Sequence, residues 1–248
     1  MAEKFRVGCS GWFYRAWRGV FYPEDLPTSR WFSHYASVFD TVEINSTFYN
    51  FPTVERVRRW LKGTPEGFLF SVKAPQVITH RKKFRDCEDL VSEFYRVISV
   101  LGENLGAVLF QLPPSVKRDE DFLSLLVKTL SRDFRNAVEF RHASWFTDEV
   151  RETLAQKGIA FVEVSAPGFG AIPEKVSGPP DFAYVRMHGV KKWYDHDYSE
   201  EELSSFSRVL SACPSRQVFV YFNNDVGGRA PSNAVILREM MGKGKTSR

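Results

Sequence analysis

The chain has 248 residues, 43% of them hydrophobic and 22 of them phenylalanine, which suffices for one barrel-sized domain with a large core. Its 34 basic and 30 acidic residues leave a net charge of +4, too small an excess to indicate nucleic-acid binding by itself. No apolar run could span a bilayer and no signal peptide precedes the first predicted strand, so we expect a cytoplasmic protein without a membrane segment. Cys9, Cys87 and Cys213 show no metal-binding spacing, and we expect them to be reduced.

Eight short apolar segments recur along the chain, and their composition is typical of buried β-strands. They span residues 6–10, 41–45, 68–73, 107–111, 137–141, 159–165, 182–188 and 217–223. Helical sequence separates most of them, and eight strands alternating with helices predict an α/β fold, the (β/α)8 TIM-type barrel. We expect a single barrel domain over residues 1–241 and a basic, flexible tail over residues 242–248.

Apolar residues at helical spacing, often preceded by capping residues, predict the helices between these strands. The predicted helices span residues 30–39, 53–61, 87–101, 122–130, 147–158, 199–210 and 231–241. The connection over residues 166–181 differs, because it contains four prolines and three glycines in sixteen residues. That density excludes a regular helix, so we expect an irregular loop in place of the sixth helix.

The first connection, residues 11–23, is rich in aromatic residues although it lies outside any predicted strand. Exposed aromatic rings are unfavourable in water, so we expect this loop to fold over the end of the barrel. Two roles stay open for it. It could be a lid over a ligand site, or an aromatic plug that packs against the barrel.

Polar or charged residues stand at the carboxyl ends of nearly all the predicted strands, which form the active face of a TIM-type barrel. Side chains two positions apart on a strand point to the same side, and the intervening residues, such as Ile44 and Met187, are apolar and suit packing against helices. We therefore expect one inward-facing set around a common mouth: Ser10, Glu43, Asn45, Lys73, Gln111, Glu139, Arg141, Arg186, His188 and Asn223.

Charges that point into a barrel must pair, meet solvent or hold a ligand, because an unpaired buried charge is strongly destabilising. One explanation is a self-satisfied ionic network in which Glu43 and Glu139 neutralise Lys73, Arg141 and Arg186. The other is a ligand site. Three cations against two carboxylates favour an anionic, phosphorylated ligand, and the loop after the eighth strand could supply further contacts from Asn223, Asn224, Asp225, Gly227 and Gly228.

Acid–base chemistry at this mouth would use the same residues. Glu43 or Glu139 is the predicted general acid or base, with His188 as its proton partner. These roles suit a hydrolase or another acid–base enzyme on an anionic substrate, although the sequence does not decide whether the protein is an enzyme. No cofactor is predicted. A single metal ion held by Glu43, Glu139, His188 and Asp225 is the alternative, but no ligand spacing supports it and the neighbouring cations oppose it.

A second function stays open, that of a nucleic-acid-binding protein without catalysis. The basic run at residues 81–83, continued by Arg85, could contact phosphates. The aromatic loop could stack bases through Trp12, Phe13, Tyr14 and Trp17. Nothing in the sequence indicates an oligomeric state.

Six segments resemble those of a known family: residues 8–12, 39–49, 70–75, 109–114, 138–142 and 221–225. Together they span essentially the whole chain and resemble the hallmark segments of domain-of-unknown-function family 72, the YecE-like proteins. The resemblance implies a TIM-type barrel, in agreement with the strand count, but supplies no activity. Trp12 and Tyr49 lie within these segments and complete the predicted ligand-binding set.

Overall fold

Eight parallel strands alternate with helices in the structure, a computed structural model that describes residues 4–243. The strands are β1 (Phe5–Cys9), β2 (Thr41–Ile44), β3 (Leu69–Lys73), β4 (Leu105–Gln111), β5 (Asn136–Glu139), β6 (Ile159–Ser165), β7 (Phe182–Met187) and β8 (Gln217–Phe222). The α-helices are α1 (Trp31–Val38), α2 (Ser46–Tyr49), α3 (Val54–Trp60), α4 (Glu88–Ile98), α5 (Glu120–Thr129), α6 (Asp148–Gln156), α7 (Glu200–Ser211) and α8 (Arg229–Lys243). The predicted (β/α)8 barrel is confirmed.

The strands follow one another around the sheet in the order β1-β8-β7-β6-β5-β4-β3-β2, with every pairing parallel. The seam between β1 and β2 is bridged by a side chain. The Tyr35 hydroxyl on α1 accepts the Cys9 N–H at 2.8 Å and donates to the Thr41 carbonyl at 2.9 Å. The two strands are so close that a Cβ on Gly8 would lie 2.3 Å from the Thr41 oxygen.

The barrel interior becomes more polar towards the carboxyl ends of the strands. On β7, the inward residues Phe182, Tyr184 and Arg186 are two positions apart and all buried. Halfway along the barrel, the Tyr221 hydroxyl forms hydrogen bonds with Thr41 at 2.6 Å and Ser71 at 2.9 Å. Inside the barrel, an apolar layer therefore lies below a polar layer at the carboxyl ends of the strands. A larger apolar core lies between the strands and the surrounding helices.

Local capping chemistry explains several helix starts. Thr53 and Thr147 accept backbone N–H bonds at the starts of α3 and α6, and Ser199 with Glu202 forms a capping box at the start of α7. The boundaries of α8 differ from the prediction, because it begins at Arg229 and continues through Lys243. Gly242 and Lys243 therefore belong to the helix, and the rest of the predicted tail, residues 244–248, lies outside the described residues. The short helix α2 was not predicted.

Two irregular connections complete the fold. Residues 166–181 contain no helix, as their prolines predicted. The aromatic loop after β1 packs against the barrel, which is one of its two predicted roles, and the role of a lid over a ligand stays a prediction. Trp17 and Tyr22 are buried, and Tyr22 stacks on Trp31 of α1 with ring centroids 4.6 Å apart, whereas Phe13 is 59% exposed beside the barrel mouth. One part of the loop is a packed plug, and its tip borders the mouth.

Candidate functional site

A buried ionic network forms the floor of the barrel mouth. Arg186 at the end of β7 donates to Glu43 of β2 at 2.6 Å and to Glu139 of β5 at 2.7 Å, and none of the three side chains is more than 1% exposed. Tyr184 and Ser10 also donate to Glu43, at 2.7 Å and 2.8 Å. Burial would raise the pKa of Glu43, but Arg186 and these hydrogen bonds outweigh it, so its pKa lies below the ordinary value. Glu43 is a carboxylate that is already satisfied.

Arg141 and His188 extend the network towards the opening. Arg141 Nε pairs with the Glu139 carboxylate, and its Nη2 lies 3.1 Å from His188 Nε2. The Asn223 side-chain amide lies 3.0 Å from the other ring nitrogen, Nδ1. Burial, followed by the positive charges of Arg141 and Arg186, lowers the pKa of His188 to about 3. His188 is therefore neutral across the physiological pH range.

A cavity of about 390 Å³ opens above this network. Its walls come from the loops and strand ends around the mouth: Tyr14, Asn45, Phe48, Tyr49, Lys73, Arg141, Arg186, Tyr194, Asn223 and Asp225. Arg141 lies over the Trp193 ring at 4.2 Å, and Lys73 lies over the Phe48 ring at 4.3 Å. Two of the three cations in the cavity wall, Lys73 and Arg141, thus rest on an aromatic face.

Lys73 differs from the other cations of the mouth. Within residues 4–243 it donates no hydrogen bond and forms no ion pair, although it is largely shielded from solvent. Burial, followed by repulsion from Arg186, lowers the pKa of Lys73 to about 7. Its ammonium group is thus charged only in part at neutral pH.

Two oxygen atoms at the same cavity also lack a partner. Neither Asn45 Oδ1 nor Asp225 Oδ1 accepts a hydrogen bond from the part of the chain that the structure describes, and both atoms are buried. Burial is the main cause that raises the pKa of Asp225 to about 7. A lysine and an aspartate with pKa values near neutrality therefore line one cavity.

A second cavity of about 500 Å³ adjoins the first and shares Tyr14, Asn45 and Tyr49 with it. The rest of its lining is mainly apolar and aromatic: Ser10, Gly11, Trp12, Phe13, Ile44, Ser46, Arg56 and Trp60. Phe13 and Tyr49 are 59% and 71% exposed at its edge. The mouth therefore has a cationic compartment beside an aromatic one.

Most of the predicted ligand-binding residues line these two cavities. The wall of the first cavity contains Asn45, Tyr49, Lys73, Arg141, Arg186, Asn223 and Asp225. The wall of the second contains Ser10 and Trp12 in addition to Asn45 and Tyr49. The three predicted catalytic residues, Glu43, Glu139 and His188, are brought together but lie buried beneath the cavity.

Four predicted residues line neither cavity. Gln111 donates to the Leu112 carbonyl, and Asn224 is turned towards His196 and Asn233. Gly227 and Gly228 form a tight turn before α8, where the Gly228 N–H donates to the Asp225 carbonyl at 3.1 Å. A Cβ on Gly228 would lie 3.0 Å from Val20, so this glycine allows close packing against the aromatic loop.

Sequence reasoning missed several residues of the site. Tyr184 could have been found, because it lies two positions before Arg186 and so shares its inward direction. Phe48, Tyr194, Arg56 and Trp60 come from loops and helices whose path the strand pattern does not give.

Two kinds of feature are absent from residues 4–243. No group of three or more His, Cys, Asp or Glu side chains there could hold a metal ion. In the same range, no helix has both the length and the apolar character needed to cross a membrane.

The family described as "Protein of unknown function DUF72" matches residues 6–248. The UPF0759 protein YunF of Bacillus subtilis (strain 168) is 27% identical over an alignment of 267 residues, which covers 95% of this chain and 94% of YunF. The UPF0759 protein YecE of Escherichia coli (strain K12) is 35% identical over 126 residues, which cover 50% of this chain and 46% of YecE.

Solved structures give the same relationship. The crystal structure of a DUF72 family protein from Thermotoga maritima MSB8 has a TM-score of 0.83 at 34% identity, covering 97% of this chain and 100% of the other. A DUF72 family protein from Enterococcus faecalis V583 has a TM-score of 0.78 at 22% identity, covering 96% and 95%. At the lower identity, the likeness concerns the fold alone.

Proposed function

This chain belongs to the DUF72 family, and from the geometry of its barrel mouth we propose that it binds a small anionic ligand through Lys73 and Arg141. The observation that carries the proposal is the Lys73 ammonium group, which borders the cavity and forms no ion pair with any of the described residues. A partly desolvated cation of this kind is stabilised when an anion occupies the space beside it.

The charges around Lys73 favour an anion rather than a cation. Glu43 and Glu139 are already paired with Arg186 and Arg141, so they contribute little net negative charge to the cavity. Asp225 is the other acid at the cavity wall, and with a pKa of about 7 it is neutral in acidic solution. Below pH 7, the positive charge of Lys73 is therefore not balanced by a carboxylate in the cavity wall, whereas the charges of Arg141 and Arg186 are balanced by Glu139 and Glu43.

The aromatic compartment extends the proposal to the rest of the ligand. It adjoins the cationic compartment through Tyr14, Asn45 and Tyr49, so one molecule can reach both. Aromatic walls favour an apolar or planar group. The proposed ligand is a phosphate or carboxylate attached to a small apolar or aromatic body.

The proposal also includes acid–base catalysis at the same cavity. Glu43, Glu139 and His188 were the predicted catalytic residues, but their burial and pairing suit the positioning of Arg186 and Arg141. Lys73 and Asp225 face the cavity with pKa values of about 7, as a general acid or base requires at neutral pH. We therefore assign the proton-transfer role to these two residues.

Thermal-shift measurements in the presence of a chelator test the binding proposal. Inorganic phosphate and phenyl phosphate should raise the melting temperature of the wild type, and phenyl phosphate should do so at lower concentration. Lys73→Met and Arg141→Gln should remove most of the shift, whereas Lys128→Met, on the exposed face of α5, should keep it. An unchanged response in Lys73→Met and Arg141→Gln contradicts the proposal.

Nucleic-acid binding stays a second candidate on one observation. Lys83, Arg85 and Lys117 line a separate cavity of about 240 Å³, next to the exposed Arg81 and Lys82. Trp17 is buried and cannot stack a base, which leaves the tip of the aromatic loop for that role. If this candidate is correct, affinity for single-stranded DNA should fall steeply with added salt, and Arg85→Gln should reduce that slope.

A further inference from the structure

Lys73 is held rigidly at the place where it meets the cavity. It is the last residue of β3, and its carbonyl accepts a 2.6 Å hydrogen bond from the Thr47 hydroxyl at the start of α2. Phe48, the next residue of α2, places its ring 4.3 Å from the Lys73 nitrogen. The backbone of Lys73 is therefore fixed, and its nitrogen lies against the Phe48 ring at the edge of the cavity.

The surroundings of this nitrogen favour the neutral amine. No carboxylate among residues 4–243 pairs with it, and Arg141 and Arg186 line the same cavity. Desolvation and neighbouring cations are the two conditions that turn a lysine into a nucleophile near neutral pH. The lowered pKa of about 7 is consistent with this geometry.

The groups opposite Lys73 suit a carbonyl compound that carries an anionic group. Arg141 has its Nε engaged with Glu139 and its Nη2 beside His188, and it also lines the cavity, where its guanidinium can bind a carboxylate. Asp225 presents an oxygen atom that has no hydrogen-bond partner among residues 4–243, and Tyr14 stands beside it in the cavity wall. A cation for the anionic group, an amine and a proton donor thus border one space.

We propose that Lys73 forms an imine with a small 2-oxo acid bound in the cationic compartment. The Lys73 amine attacks the ketone carbon and one proton passes from nitrogen to oxygen, which gives a carbinolamine. Asp225 in its acid form donates a proton to the hydroxyl group, which leaves as water while the C=N bond forms. The products are a protonated imine, one water molecule and the Asp225 carboxylate. The proposal rests on the proposed function, because the carboxylate of the oxo acid is the anion bound by Arg141.

Reductive trapping with pyruvate as the probe tests this. The wild-type protein is incubated with pyruvate, treated with sodium borohydride, and mapped by peptide mass spectrometry. We expect one reduced pyruvate adduct at Lys73, labelled more than about tenfold faster than any surface lysine near pH 7. Labelling should rise as the pH approaches about 7 and Lys73 loses its proton, and fall above it as Asp225 loses the proton that the dehydration step needs, whereas ordinary lysines respond at much higher pH.

Three variants complete the experiment. Lys73→Arg keeps the positive charge and should lose the adduct, Arg141→Gln should lower the labelling of Lys73, and the matched surface variant Lys128→Arg should behave as wild type. Because the adduct is mapped in the wild type, the result does not depend on any variant folding.

The outcomes separate the two proposals. Labelling spread evenly over surface lysines, or unchanged total labelling in Lys73→Arg, overturns the imine. If phosphate raises the melting temperature while Lys73 is not trapped, the imine fails and anion binding stands. If neither occurs, both fail.

Discussion

Arg186 donates from Nη2 to Glu43 Oε1 at 2.6 Å, with side chains 1% and 0% exposed. The same guanidinium donates to Glu139, so it compensates two buried carboxylates from different strands. Removing a single partner of such a network leaves uncompensated buried charge, which costs about 3–5 kcal/mol. Arg186→Met should therefore lower the free energy of unfolding by about that amount in urea titrations. Adding Glu43→Gln and Glu139→Gln to Arg186→Met should restore part of the loss, and equal stability of Arg186→Met and wild type would contradict this account.

The strand ends were predictable because inward and outward positions differ in polarity. Arg186 and His188 flank the apolar Met187, and this alternation alone places both polar side chains inside the barrel. The pairing was not predictable in the same way. Which cation meets which carboxylate depends on the register between strands and on side-chain length, and here Arg186 takes both glutamates while Lys73 takes neither.

The loops account for most of what the sequence did not predict at the site. Gly227 and Gly228 were expected to contact an anion. Instead, their positive φ angles form a turn, and Gly228 in this turn packs against Val20. Whether a glycine turn faces a ligand or a neighbouring loop depends on how the chain leaves the strand. That direction is set by tertiary packing, which a local glycine pattern does not contain.

The Tyr35 hydroxyl at the barrel seam leads to a second prediction. Tyr35→Phe leaves the buried Cys9 N–H without its acceptor and the Thr41 carbonyl without its donor. An unsatisfied buried donor costs about 1–3 kcal/mol, so the free energy of unfolding should fall by that amount. In addition, hydrogen exchange at the Cys9 amide should accelerate through local opening of the seam.

Tyr95→Phe is the matched control, because Tyr95 donates a buried 2.6 Å hydrogen bond to Asn136, far from the seam. It should lower global stability without exposing the Cys9 amide selectively. If both variants change exchange at Cys9 equally, the hydroxyl of Tyr35 does not hold the seam.

A third prediction concerns the stability of Lys73→Met. The pKa of Lys73 is about 7 in the folded protein, below its ordinary value of 10.5, so between these values the unfolded chain binds more protons than the native one. The buried charge therefore destabilises the fold fully below pH 7, and this effect fades as the pH rises towards 10.5. Lys73→Met should stabilise the protein by about 1–3 kcal/mol below neutrality and by less near the upper end of the window. Urea titrations at both ends, with Lys128→Met as the exposed control, measure this, and a gain that grows with pH would contradict it.

The fourth prediction concerns the pH dependence of anion affinity, measured by calorimetry with sulfate, whose charge stays constant across the range. Above pH 7, Lys73 loses its proton and Asp225 becomes a carboxylate, and both changes oppose an anion. Each group should weaken binding by up to about tenfold per pH unit above its pKa, which gives up to about a hundredfold per pH unit for the two together. Asp225→Asn removes one of the two titrations, so its dependence should fall to about tenfold per unit, with affinity below pH 7 close to that of wild type. Affinity that is independent of pH in the wild type, or a dependence that Asp225→Asn leaves unchanged, would show that these groups do not face the anion.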